Sequence, residues 1–153
     1  MSRKKRAQGQ ARNETKPALS WIAATQQFIG KKWEASGFEC YDFVRAMYAA
    51  VDGVELPTIP NMHSKAKTRQ YELMLDTFPA AWLTIEEPEP GALVMLSMGA
   101  IPHHCGIYVG QQFTAHVFSA KHGVMLNRAP QLTAQGWNII GYLRYLPPVK
   151  MIG

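Results

Sequence analysis

Three residues of this chain have the types and order that nucleophilic catalysis needs. Cys40 lies within Gly37-Phe38-Glu39-Cys40-Tyr41-Asp42-Phe43-Val44-Arg45, and His104 and His116 follow on segments that alternate like paired strands. A cysteine at the start of a helix faces the positive end of the helix dipole and unpaired backbone N–H groups, which favour the thiolate, its nucleophilic form. An imidazole beside it can hold the proton.

The elements that must position these groups can be read from periodicity. Phe43, Val44, Met47, Tyr48 and Val51 recur at helical spacing, with Cys40 one turn before Val44 and Asp52-Gly53 closing the helix. An earlier stripe, Leu19, Ile22, Ala23, Gln26 and Ile29, predicts a helix stopped by Gly30, and Lys31 to Gly37 reads as a loop. Leu56-Pro57-Thr58-Ile59-Pro60 must be extended, because each proline also restricts the residue before it. A further helix is expected from about Ser64 to Phe78. Pro88-Glu89-Pro90-Gly91 is a turn, after which everything reads as strand: Ala92 to Leu96, His104 to Val109, Phe113 to Val117, Val124 to Leu126 and Ile139 to Tyr145. The expected class is α+β.

Strand geometry sets a condition on the two histidines. His104, Gly106 and Tyr108 share one face of a strand, and Cys105, Ile107 and Val109 take the other. A three-residue loop at Gly110-Gln111-Gln112 makes His104 and His116 diagonal neighbours on one face. A two-residue turn at Gln111-Gln112 puts them on opposite faces unless a bulge compensates. Cys105, alternating with His104, reads as core.

Composition bounds the rest. With 153 residues, 47% of them hydrophobic and 18% charged, the chain suits one globular domain with a single sizeable core. The net charge of +5 resides in residues 1–17, where Arg3, Lys4, Lys5, Arg6, Arg12 and Lys16 stand against Glu14; the remaining ten basic and ten acidic residues cancel. This arm reads as a solvated, flexible terminus ahead of a folded domain over 18–150, and no nucleic-acid partner is expected. No apolar run reaches the roughly 20 residues of a membrane span, and no signal-peptide pattern follows Arg3 to Arg6. Two cysteines do not make a disulfide framework, so reduced thiols are expected.

Zinc is the rival chemistry, since His103, His104, Cys105, His116 and Cys40 are all possible ligands. Adjacent strand residues point to opposite faces and there is no short paired-ligand spacing, so neither a metal nor another cofactor is expected. Glu86, Glu87 and Glu89 flank prolines in a turn that cannot hold a carboxylate dyad at fixed distance.

The ordered fragments resemble the NlpC-like papain-fold peptidases that cut bacterial cell-wall peptides. The resemblance covers most of residues 28–145. It rests on Ile29-Gly30-Lys31-Lys32-Trp33, Phe38-Glu39-Cys40 with Phe43-Val44-Arg45, Leu56-Pro57, Pro90-Gly91 with Leu93-Val94, His104 with Gly106-Ile107-Tyr108-Val109-Gly110, the His116 strand, and Gly123-Val124. The twelve-residue separation of the histidines matches the family pattern. The resemblance implies a papain-like α+β domain with N-terminal helices packed on an antiparallel sheet. It implies Cys40 as nucleophile, His104 as general base and later acid, and His116 as the group that orients the imidazole. The Cys40 N–H is the natural first oxyanion donor, with Trp33 as a second and Glu39 and Tyr41 as substrate neighbours.

This sequence departs from the pattern where Tyr41-Asp42 follows the nucleophile, at Ala92, at Cys105 in place of a usual valine, and at Gln111-Gln112. The implied activity is hydrolysis of peptidoglycan stem peptides by a D,L-endopeptidase cut. The compact length, Trp33 and Val44-Arg45 resemble the branch carried in bacteriophage tail tips, which implies a virion-tail location and structural tail-tip proteins as partners of the basic arm. Two alternatives share the fold: a catalytically inactive structural tail-tip subunit, and a bacterial amidase or acyltransferase.

Overall fold

The structure, a computed structural model, describes residues 21–29, 40–56, 81–99, 101–117 and 123–147, with backbone alone for 101–103. The basic arm, the loop bearing Trp33 and Glu39, Pro57 to Pro60 and the helix expected from Ser64 to Phe78 lie outside the described residues.

Residues 21–28 form helix α1, and Cys40–Asp52 forms α2. Among the described residues six strands follow: β1 (Trp82–Ile85), β2 (Leu93–Met98), β3 (Ile101–Gly110), β4 (Phe113–Val117), β5 (Val124–Asn127) and β6 (Asn138–Tyr145), with α3 (Ala129–Ala134) between the last two. They make one antiparallel sheet in the order β1-β6-β2-β3-β4-β5. The architecture is α+β, with helices on a single antiparallel sheet.

Helix α2 forms where its apolar stripe and three alanines agree on helical spacing, and Phe43, Val44 and Met47 are fully buried by it. Each such side chain contributes about 1.5–3 kcal/mol of apolar burial. At its C-terminus the Gly53 N–H donates to the Ala49 carbonyl and Val54 N–H to that of Tyr48, ending the helix at the expected place. The α2 face of the sheet supplies Leu93, Cys105, Ile107, Val109, Ala115, Val117 and Leu143 to the main core, together with Trp21 and Ala24 of α1. The opposite face carries a smaller cluster of Val94, Leu96, Leu132 and Trp137.

Two elements correct the sequence reading. Strands do not begin after Pro90-Gly91: β1 precedes that turn and pairs Trp82 with Tyr145 and Ile85 with Tyr142 at the sheet edge. Four residues are too short to announce a period, and pairing to β6 makes them a strand. Helix α3 interrupts the run read as strand. Its six residues end in a Schellman turn, with Trp137 N–H bonded to the Leu132 carbonyl and Gly136 N–H to that of Thr133. Gly136 has φ +95°, which a side chain would strain, and the Leu132–Trp137 contact that accompanies such turns lies within the smaller cluster.

The β3–β4 hairpin takes the second of the two routes open to it. Gln111 and Gln112 have φ of 53° and 69°, a two-residue type I′ turn, and the register shifts between Tyr108 and Gly110. The extra residue, Val109, is the compensating bulge. Ile107 pairs with Ala115 and Tyr108 with Thr114, so the parity that puts both histidines on one face is preserved.

Candidate active site

The register sets His116 opposite Gly106 and diagonal to His104. Gly106 permits this approach: a Cβ there would lie 2.7 Å from the Ala115 carbonyl oxygen and 3.0 Å from the His116 Cβ. Any side chain at 106 forces β4 away from β3. With glycine in place, His104 Nε2 and His116 Nδ1 are 3.0 Å apart and both rings are buried.

The chain of contacts continues onto β5. His116 Nε2 is 2.8 Å from Asn127 Oδ1, reached because Thr114 pairs with Asn127 and His116 lies two residues further along the same face. An amide oxygen only accepts, so His116 carries its proton on Nε2 and leaves Nδ1 as an acceptor while the ring is neutral. Burial, and next the charge of His104, push the His116 pKa down to about 4, against an opposing pull from the Asn127 hydrogen bond and the charge of Cys40. His116 is therefore neutral at pH 7, and the His104 Nε2–H donates to it. The direction of the chain is fixed from its buried end, and Nδ1 of His104 is left for the thiol.

Cys40 is the first residue of α2 and is half-buried. Its Sγ lies 3.6 Å from that of Cys105. The Cys40 pKa is held well below the ordinary thiol value, first by hydrogen bonding from the Cys105 side chain and then by hydrogen bonding and charge from His104, with burial opposing them. A thiol so placed is shifted toward its thiolate, the nucleophilic form.

Trp137, delivered by the Schellman turn after α3, stacks on the His104 ring at 4.5 Å between centroids and 27° between planes. An indole face stabilises a cationic ring over it and restricts its tilt. Trp137 and Asn127 are neighbours of the candidate site that sequence reasoning missed. Asn127 did leave a signal, as the polar end of the otherwise apolar Val124-Met125-Leu126-Asn127. Trp137 left none, since its place depends on the turn that presents it.

The structure thus brings together Cys40, His104 and His116 of the residues singled out from sequence. Tyr41 is buried in the main core, where burial is the first cause raising its pKa. Trp33 and Glu39 lie outside the described residues. Cys105 is 2% exposed on the α2 face, the core position expected of it.

The fold has solved counterparts. A NlpC/P60 family protein from Bacillus cereus superposes with a TM-score of 0.55 at 18% identity, over 85% of this chain and 40% of that one. NlpC2 from Trichomonas vaginalis gives 0.56 at 16%, over 85% of this chain and 46% of its own. The NlpC/p60 domain of the peptidoglycan hydrolase SagA gives 0.51 at 16%, over 82% of this chain and 96% of that domain. The chain therefore spans less than half the length of the first two proteins and nearly all of the third. At these identities the likeness speaks for the fold. No curated protein sequence matches the chain. The sequence profile of the NlpC/P60 family, however, matches residues 24–138, which takes in Cys40, both histidines, Asn127 and Trp137, and on that match the chain belongs to the NlpC/P60 family.

Proposed function

We propose that the protein is a cysteine peptidase that hydrolyses peptidoglycan stem peptides, with Cys40 as nucleophile, His104 as general base and acid, and His116 as the group that orients it. The observation that carries this reading is the directed chain from Asn127 through His116 to His104, beside a thiol of lowered pKa. The Cys40 thiolate attacks the amide carbonyl, and the oxyanion forms next to the Cys40 backbone N–H at the start of α2. The His104 imidazolium protonates the leaving amine. Neutral His104 then takes a proton from the water that opens the thioester and returns it to the thiol.

Peptidoglycan as substrate is supported by family membership and by the likeness to the SagA domain, which belongs to a peptidoglycan hydrolase. The finer reading is a D,L-endopeptidase cut next to γ-D-glutamyl, by an enzyme carried in a bacteriophage tail tip, where the basic arm of residues 1–17 engages a structural subunit. Trp33 and Val44-Arg45 support that branch.

Defined muropeptides incubated with the purified chain should yield two fragments whose masses place the cut between γ-D-glutamate and the diamino acid. Cys40→Ala should yield none while keeping the circular dichroism of the parent. Release of sugar from peptide, or acyl transfer to an added amine, would replace the endopeptidase with an amidase or acyltransferase. Equal intact protein with no product from any muropeptide would leave a structural subunit. Peptide mass spectrometry of the purified virions tests the location.

A further inference from the structure

Cys105 neither attacks the substrate nor transfers a proton in the hydrolytic steps above, yet its thiol hydrogen-bonds the nucleophile's sulfur. The two Sγ atoms are 3.6 Å apart, neither cysteine is in a disulfide, and they come from positions 65 residues apart that the α2–sheet packing brings together. A disulfide requires about 2.05 Å between sulfurs, so the pair must close by roughly 1.5 Å. Cys40 is well placed to supply that movement: as the first residue of α2 it lies at the helix end, where the backbone yields more readily than at Cys105 inside a central strand.

We propose that Cys40 and Cys105 form a reversible redox latch, in which a peroxide oxidises Cys40 and Cys105 resolves it into an intramolecular disulfide. The first step is attack of the Cys40 thiolate on a peroxide oxygen. An S–O bond forms, the O–O bond breaks, and the leaving hydroxide takes a proton to become water, giving the sulfenic acid. In the second, the Cys105 sulfur attacks the Cys40 sulfur. The S–S bond forms, the S–O bond breaks, and hydroxide leaves with the Cys105 proton as water. The two thiols lose two electrons in all, and hydrogen peroxide is reduced to two waters.

The assignment of roles follows from access. Cys40 is half-buried and is the more accessible of the two to an oxidant, whereas Cys105 is 2% exposed. A resolving thiol already in contact captures the sulfenic acid before further oxidation to the irreversible sulfinic form. The latch protects the nucleophile and silences it until a dithiol reopens it by exchange.

That silencing rests on the proposed function, but formation of the bond does not, and the two are separable. The full chain is treated with hydrogen peroxide, the remaining thiols are alkylated, and the intact mass and non-reduced peptide map are read before and after dithiothreitol. The expected result is loss of two hydrogens, a Cys40–Cys105 linked peptide, loss of both alkylatable thiols and loss of muropeptide cleavage, all reversed by dithiothreitol. In Cys105→Ala, or Cys105→Ser if the alanine variant does not fold, peroxide should instead add two or three oxygens at Cys40, and dithiothreitol should not remove them. Wild-type protein that gains oxygen at Cys40 without a linked peptide would overturn the latch, even if the reduced chain hydrolyses muropeptides. A linked peptide in a chain without activity would uphold the latch and count against the peptidase.

Discussion

The two ends of helix α2 are built for different purposes. At its C-terminal end Tyr48 is enclosed by aromatic rings, with Trp21 at 4.9 Å, Tyr145 at 5.7 Å and Trp82 at 6.3 Å between centroids. Its hydroxyl donates to the Gly91 carbonyl, and burial is the first cause raising its pKa. Nothing at that end is asked to change state. At the N-terminal end Cys40 meets a thiol and an imidazole, and the order of donors and acceptors matters there more than area. Rings that pack edge-to-face contribute about 0.5–1.5 kcal/mol per pair beyond their burial, so the aromatic end clamps the helix while the other end holds a reactive group in place. Stability and chemistry are separated along one helix by the eight positions from Cys40 to Tyr48.

Substitutions at the two ends should therefore fail in different ways. The largest effect is expected at the polar end. His104→Ala should lower muropeptide kcat per folded molecule by about a thousandfold, within the usual range for loss of a general acid–base. His116→Ala should do no more damage than that, since it orients a proton-transfer group and does not itself transfer the proton. A His116 variant slower than His104→Ala would move the acid–base role to His116.

Trp82→Ala tests the other end and should show the reverse pattern. Removing this nearly buried ring should cost about 3 kcal/mol in denaturant unfolding, while kcat per folded molecule stays near that of the parent. Lost turnover in the folded variant would mean that the clamp also sets the thiol's position.

The smallest effect sharpens the direction of the polar chain. Asn127→Leu removes one buried hydrogen bond, worth about 1.4 kcal/mol, and should lower kcat roughly tenfold, whereas Asn127→Asp keeps an acceptor and should recover most of it. The same chain makes a stability prediction with a definite sign. Because the folded-state pKa of His116 lies near 4, below the ordinary 6.5, the unfolded chain binds a proton that the folded chain refuses between those values. The contribution is complete above pH 6.5 and is lost as the pH falls toward 4. Urea melts across that window should show wild-type stability falling more steeply than His116→Gln, by at most about 3 kcal/mol. Parallel profiles would mean that His116 is protonated in the folded protein.

The sequence by itself determined the reactive residue types, the helix that begins at Cys40 and ends at Gly53, and strands close to β2 through β6, because periodicities of 3.6 and 2 are local properties of a chain. It also reduced the histidine geometry to a choice between an odd loop and a bulge. Tertiary structure made that choice by inserting Val109, since register is settled by which face the neighbouring strand buries. It recruited Asn127 from a third strand and Trp137 from a turn, neither of which has a local period, and it made β1 a strand by pairing it with β6. The contact between Cys40 and Cys105 belongs to the same class. Two thiols 65 residues apart acquire a shared chemistry only when a helix end is packed against the middle of a sheet, a distance in space that no spacing in sequence encodes.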